Sequence, residues 1–442
     1  MTAAGKSERQ LGSVAAPLQG DAADAAPPRP LLIALLALAA LYLAQCASPL
    51  RLDSDAVDYL TTGAAIADGR PLPDVPFPPG YPALIAVLDR LGLGSTSFFI
   101  LANCVFLALG LWATWRLFSE HPPAVRMWIV VATLLVISVV KSVATPLPEA
   151  AFFGTSLMSV AAASAAVAGR GSTRWILLAA SMVMAALALS IRTVGVALIP
   201  MLLWAWWSAL SDASDTFRSR RKAIAMTLGL VFVGAAVVLV LSKTSTVADY
   251  LGHPLYWYVY GGLSSPILGR IYGMLNGVGQ MIVNLPLSRF HGLAPVFAVA
   301  GLVSLVLLVL GREKPSRLRL VDVYLGFYLA VLAVWPYDSP RLWMPIAPLI
   351  AAHVAAALYR AREKPAMRLL LRLYAAWFAA TGIAALAYTT RISFSGDNFS
   401  RLYGTDGGRA TAALKTLGPK EIQRYNARAD TVLSRYGGSR TH

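Results

Sequence analysis

The sequence predicts an all-α polytopic membrane protein with about 11 transmembrane helices, in a range of roughly 10–13. Three observations carry this. Of 442 residues, 57% are hydrophobic and only 14% charged, with a mean hydropathy of +0.61, which soluble domains rarely show. The apolar residues come in runs of about 17–22, the length that crosses roughly 30 Å of hydrocarbon. The basic residues sit in short segments between those runs, the pattern that orients membrane proteins. Long period-two alternation is missing from the sequence, which argues against a membrane β-barrel.

The elements follow in chain order. Residues 1–30 are polar and Ala/Pro-rich and are expected to be a disordered cytoplasmic N-terminus. Residues 31–49 are long for a signal-peptide core and far from the chain start, so they are expected to be a retained first helix. Further spans are expected at about 97–117, 126–143, 148–168, 174–190, 194–210, 222–242, 292–311, 319–335, 341–359 and 368–388. Residues 31–388 then form the transmembrane domain, and 389–442 a short extracytoplasmic tail with one or two short helices in 407–435. With the N-terminus in the cytoplasm, twenty Lys and Arg fall on inner segments against nine in the outer loops. That orientation places the chain in the inner membrane with its unusual segments outside.

The net charge of +16 is therefore a topology signal, and a nucleic-acid partner is not expected. Cys46 and Cys104 lie in apolar segments without metal-ligand spacing, and no cofactor is required by the pattern. The acidic first loop leaves a divalent ion open.

The outer face holds a first loop, 50–96, and a long aromatic loop, 243–291, whose part 265–289 suggests an amphipathic helix on the membrane surface. Three carboxylates, Asp53, Asp55 and Asp58, stand immediately after the first span, where desolvation is costly. Asp55, Asp58 and Tyr59 are spaced to share one helical face, although an Asp here also reads as an N-cap. Glu149 follows Pro146 and Pro148 at a helix start, and reads either as a first-turn acid or as a second carboxylate facing an outer cavity. Arg192 and Arg341 stand at outer ends of apolar runs, as snorkelling residues or as a phosphate clamp, with Lys243, Arg270 and His253 as weaker candidates for the same pocket. Pro336, Pro340 and Pro345 bracket Arg341 and break helical hydrogen bonding beside it.

In this order the motifs resemble the glycosyltransferase-C superfamily, in particular the branch of the protein O-mannosyltransferases and the bacterial lipid A aminoarabinose transferase. The resemblance rests on Asp55-x-x-x-Tyr59 with the later Gly69-Arg70-Pro71 and Pro78–Pro82 runs, on Glu149, on Arg192-Thr-x-Gly195, and on Arg341-Leu-x-x-Pro345. It spans about residues 31–350.

The resemblance implies amphipathic helices in the first outer loop, a polyprenyl-phosphate sugar donor, and inverting transfer on the extracytoplasmic face. The acceptor would be a cell-envelope lipid, glycan or protein. Asp55 would be the catalytic base, with Asp53 as competitor, and Arg192, Arg341 and Lys243 would hold the donor phosphate. Asp58, Tyr59, Glu149, His253 and Arg270 would contact substrate. Ala56 stands where the family often has a second acid. A lipid-linked glycan flippase and a non-catalytic partner of a glycan assembly complex are the competing readings.

Overall fold

The computed structural model describes residues 29–52, 54–73, 77–211, 264–310, 319–334, 340–361, 365–395 and 419–437. The expected span at 222–242, and Asp53, Lys243 and His253, lie outside the described residues.

The described chain is helical. Helix α1 (Arg29–Ala44) ends in a 3-10 turn, and the first loop carries α2 (Ser54–Ala67) and α3 (Gly80–Arg90). The bundle continues through α4 (Thr96–Leu117), α5 (Pro123–Leu135), α6 (Ile137–Val143), α7 (Glu149–Ala168), α8 (Gly171–Ile191) and α9 (Leu198–Ser211). After the undescribed stretch come α10 (Ser264–Val283), α11 (Ala294–Leu310), α12 (Leu320–Val334), α13 (Ala347–Ala361), α14 (Pro365–Ser395) and α15 (Pro419–Tyr436). Among the described residues, six helical stretches are long and apolar enough to cross a membrane, or seven with the bent α5–α6 pair, and two shorter apolar helices accompany them. Helix α14 continues to Ser395, past the boundary expected at 388.

Helix α7 is the central post. Its first half, from Glu149 to Leu157, is buried all round, as expected for a helix inside a bundle. Small residues let it approach α4: a Cβ on Gly154 would stand 2.6 Å from the Phe106 carbonyl oxygen. Helices α1, α4, α8, α11 and α14 instead present Leu, Val, Phe and Trp outward, as lipid-facing helices do.

The expected single span 126–143 is broken: α5 and α6 meet at 62°. No proline causes the bend. Val136 takes an extended conformation, and the Asn284 side chain replaces the lost helical bonds. The Ile137 N–H donates to Asn284 Oδ1 at 2.9 Å, and Asn284 Nδ2 donates to the Leu135 carbonyl at 2.9 Å. Asn284 is fully buried at φ 58°, a left-handed conformation that Asn tolerates better than most residues. Asn284→Leu should orphan buried groups on both sides of the break and cost about 2–5 kcal/mol, read as a lower unfolding temperature in detergent.

Helix α10 was expected on the membrane surface. It packs along α11, where a Cβ on Gly301 would meet the Leu275 carbonyl oxygen at 2.0 Å.

The two ends of the bundle differ chemically. At one end Arg319 pairs with Glu120, and the buried His353 places Nε2 2.9 Å from Asp322 Oδ1. At the other end Arg51 is buried and donates to Ser48 Oγ, the Thr389 carbonyl and Ser393 Oγ, tying the end of α1 to α14. The first-loop helices sit at this second end.

Candidate active site

Asp55 lies in the first turn of α2, the helix that follows directly on α1 and its 3-10 turn. Arg341 comes from a 3-10 strap, Pro340–Ile346, some 286 positions later in the chain. The strap cannot continue as α-helix because Pro345 lies within it. It is pinned from below, where the Tyr328 hydroxyl donates to the Leu342 carbonyl at 2.6 Å. That anchoring points Arg341 at α2, and Arg341 Nη2 donates to Asp55 Oδ2 at 2.6 Å. Asp55 remains 46% exposed, so one carboxylate is oriented by a guanidinium and still open to solvent.

Glu149 supports this pair from beneath. It begins α7 and is only 1% exposed. Arg192, in the extended turn after α8, donates to Glu149 Oε1, and Arg341 Nε stands 3.8 Å from the same oxygen. Glu149 Oε2 has no hydrogen-bond partner among the described residues. The result is a chain of alternating charge, Arg192–Glu149–Arg341–Asp55, running from the bundle interior to the surface. Arg192 neutralises a buried carboxylate, where the sequence suggested a phosphate clamp.

The three residues expected on one face of α2 divide. Asp55 turns to Arg341. Tyr59 is buried, its ring 4.1 Å from Phe77 and edge-on to Tyr81 at 5.5 Å. Burial drives its hydroxyl well above the usual phenol range, so it stays neutral. Asp58 accepts a 2.6 Å bond from Arg428 of α15. Burial raises the Asp58 carboxyl, Arg428 opposes that shift, and the charge of Asp55 adds to it.

The tail thus returns to the first loop, which the sequence did not indicate. Tyr425, Ala429, Val432 and Tyr436 form the buried stripe of α15. Arg435 bonds both Asp68, at 2.7 Å, and Asp89, at 2.6 Å, and the Tyr436 hydroxyl donates to Asp89 at 3.0 Å. Hydrogen bonds from Arg435, then Arg70, hold the Asp68 carboxyl below the usual carboxylate range. A lowered native value favours the folded state above the unfolded carboxyl pKa of about 3.9, and the benefit is lost as pH falls through the native value. Limited proteolysis should therefore find α15 docked at pH 5 and released only in much stronger acid, whereas Arg435→Gln should release it at neutral pH.

The Pro78–Pro82 run acquires a role here. A Cβ at Gly80 would lie 2.4 Å from the Ser190 carbonyl oxygen, so glycine lets α3 abut the end of α8 next to Arg192. Gly80→Val should push α3 away from α8, seen as faster cleavage of the first loop and a lower unfolding temperature.

Arg270 is half-buried on α10. Cys46 and Cys104 are half-buried free thiols. Among the described residues no three His, Cys, Asp or Glu side chains converge as a metal site would need.

No family model and no curated sequence matches the chain. Solved structures do. ArnT from Cupriavidus metallidurans bound to undecaprenyl phosphate superposes with a TM-score of 0.51 at 13% identity, covering 93% of this chain and 77% of that one. The apo form of ArnT gives 0.49 at 13% identity over 84% and 77%. The oligosaccharyltransferase AglB from Archaeoglobus fulgidus, in complex with an inhibitory peptide and a dolichol-phosphate, gives 0.45 at 11% identity over 93% and 60%. The chain has the helical membrane fold of undecaprenyl phosphate-bound ArnT, in keeping with the glycosyltransferase-C resemblance of its motifs.

Proposed function

We propose that the chain is an inverting glycosyltransferase that takes its sugar from a polyprenyl phosphate, at the extracytoplasmic face of the inner membrane, and passes it to a hydroxyl of a cell-envelope acceptor. The observation that carries this reading is the exposed Asp55 carboxylate held at 2.6 Å by Arg341, at the end of an apolar bundle and backed by the buried Glu149. The fold shared with ArnT, whose structure holds undecaprenyl phosphate, supports it.

The chemistry follows from the charge pattern. Asp55 accepts the acceptor's hydroxyl proton as that oxygen attacks the anomeric carbon. The bond from the anomeric carbon to the phosphate oxygen breaks, and both electrons leave with the polyprenyl phosphate. Arg341, bonded to the base, would offset the developing negative charge of the leaving group. Glu149 and Arg192 fix Arg341 from below, so this cation needs little reorganisation during the reaction. No nucleotide-binding fold is needed, because the sugar arrives already activated on a lipid.

The test is transfer of labelled sugar from polyprenyl-phosphate sugars to envelope extracts by the purified full chain in nanodiscs. A new glycosidic bond dependent on Asp55 supports the reading. Donor movement across vesicles without bond formation would replace it with a flippase.

A further inference from the structure

Two ion pairs stand one turn apart on α2. Arg341 of the strap donates to Asp55, and Arg428 of the tail helix donates from Nη1 to Asp58 Oδ1, each at 2.6 Å. The first pair holds the proposed base, and the second has no part in the transfer step described above. Residues three apart on a helix are neighbours, so Asp55 and Asp58 face each other as like charges. Burial pushes the Asp58 carboxyl up, Arg428 opposes that push, and the charge of Asp55 adds to it.

Packing does not account for a cation at this place. The underside of α2, formed by Ala56, Val57 and Leu60, is completely buried and already sets the roll of the helix. Helix α15 is likewise held without Arg428. Its far end is fixed by Arg435 on Asp68 and Asp89, by the Tyr436 hydroxyl on Asp89, and by Thr96 Oγ1, which donates to the Tyr436 carbonyl at 3.2 Å. Arg428 meets Asp58 and Arg435 meets Asp68, so α15 runs along α2 in the same direction, with its N-terminal turns at the Asp55 end.

What Arg428 changes is charge. Among the described residues, Asp55 and Asp58 are faced by Arg341 from the strap, with Glu149 of α7 and Arg192 behind it, and by Arg428 from α15. Tyr59, on the same helix, stays neutral. This set holds three carboxylates, Asp55, Asp58 and Glu149, against three guanidinium groups, Arg192, Arg341 and Arg428. Without Arg428 the balance is three against two. Asp58 is 28% exposed, so water screens the remaining repulsion only in part. A proton on one of the two α2 carboxylates relieves it, and a carboxyl that already holds a proton cannot take one from an acceptor hydroxyl.

We propose that Arg428 is a positioning residue for the transfer reaction, delivered by the tail helix to Asp58 so that Asp55 stands ionised beside Arg341. It touches none of the reacting atoms and acts through Asp58. The proposal rests on the transferase reading in taking Asp55 as the base, whereas the charge coupling between α15 and α2 does not depend on that reading.

The test follows protonation and activity separately in the purified full chain in nanodiscs. A carbodiimide with an amine nucleophile couples to protonated carboxyls, and peptide mass spectrometry reads its yield at Asp55 between about pH 4 and 8. Arg428→Gln should carry the Asp55 labelling curve to higher pH by about 0.5–1, and Asp58→Asn should carry it to lower pH. The double variant should return close to wild type, and so should Arg428→Lys, which keeps the charge. On the acid limb of kcat/KM, Arg428→Gln should lose about three- to tenfold at fixed pH, the same displacement read as rate. A merely structural salt bridge predicts no opposite shifts and no recovery in the double variant. An Asp55 curve that stays in place in Arg428→Gln, or a double variant no nearer wild type than Arg428→Gln, would overturn the proposal. Release of α15 to limited proteolysis in Arg428→Gln would make the residue an anchor and overturn it as well. The expected labelling shifts in a protein that forms no glycosidic bond would uphold the coupling and reject the transferase reading. Intact transfer without the shifts would reject the coupling alone.

Discussion

Asp55→Asn is expected to lower transfer by about 10²–10⁴-fold, the range of a general base removed from a working site, with the fold intact. The carboxamide keeps the size of the carboxylate and can still accept from Arg341, but it cannot take a proton from the acceptor. Stability should hold because Asp55 is 46% exposed and the carboxamide keeps its size and its acceptor oxygen. The measurement is kcat for transfer of labelled sugar, with unfolding temperature and polyprenyl monophosphate binding as controls. Full activity in Asp55→Asn would remove this residue as the base. Arg341→Gln should fall in kcat as well, by a different route, since it frees the Asp55 side chain and removes the cation beside the leaving group.

The second large effect concerns stability. Arg192→Met should destabilise the bundle by about 3–5 kcal/mol, because it leaves a carboxylate that is 1% exposed without its principal partner. A companion change separates this from any part in catalysis. Adding Glu149→Gln to Arg192→Met removes the orphaned charge and should recover much of the lost stability, so the two changes are strongly non-additive. Thermal unfolding of the two single variants and the double variant in one detergent reads the coupling. Additive effects would mean that Arg192 and Glu149 do not act as a pair. Loss of polyprenyl monophosphate binding in a stable Arg192→Met protein would return the arginine to the donor phosphate.

Much of the architecture was legible because a bilayer restricts what a chain can do. A run such as 97–117 must satisfy its backbone internally, and α4 occupies Thr96–Leu117. Period and length likewise placed α7 and α8 to within a few residues of expectation. The break within 126–143 was invisible, because its cause is Asn284, some 147 positions away, and Val-rich sequence at the break carries no Pro or Gly signal.

At the active site, residue type was readable and partnership was not. Asp55, Glu149, Arg192 and Arg341 stood out as charges at the edges of apolar runs, where desolvation is expensive. Spacing on α2 suggested a shared face for Asp55, Asp58 and Tyr59, yet the three side chains go to a strap, a tail helix and an aromatic cluster. One or two short helices were expected in 407–435, and α15 occupies Pro419–Tyr436, but nothing local says which surface covers its stripe of Tyr425, Ala429, Val432 and Tyr436.

The sequence by itself determined that this protein is a helical membrane bundle with acids and guanidinium groups near its helix ends. Both facts follow from local rules, the length needed to cross hydrocarbon and the cost of charge within it. Only the tertiary structure decided that Arg341 reaches Asp55, that Arg192 pairs with Glu149, and that Asn284 bridges the broken α5–α6 span. Each of these depends on contacts between residues far apart in the chain, whose pairing is set by how whole helices pack and not by any local periodicity.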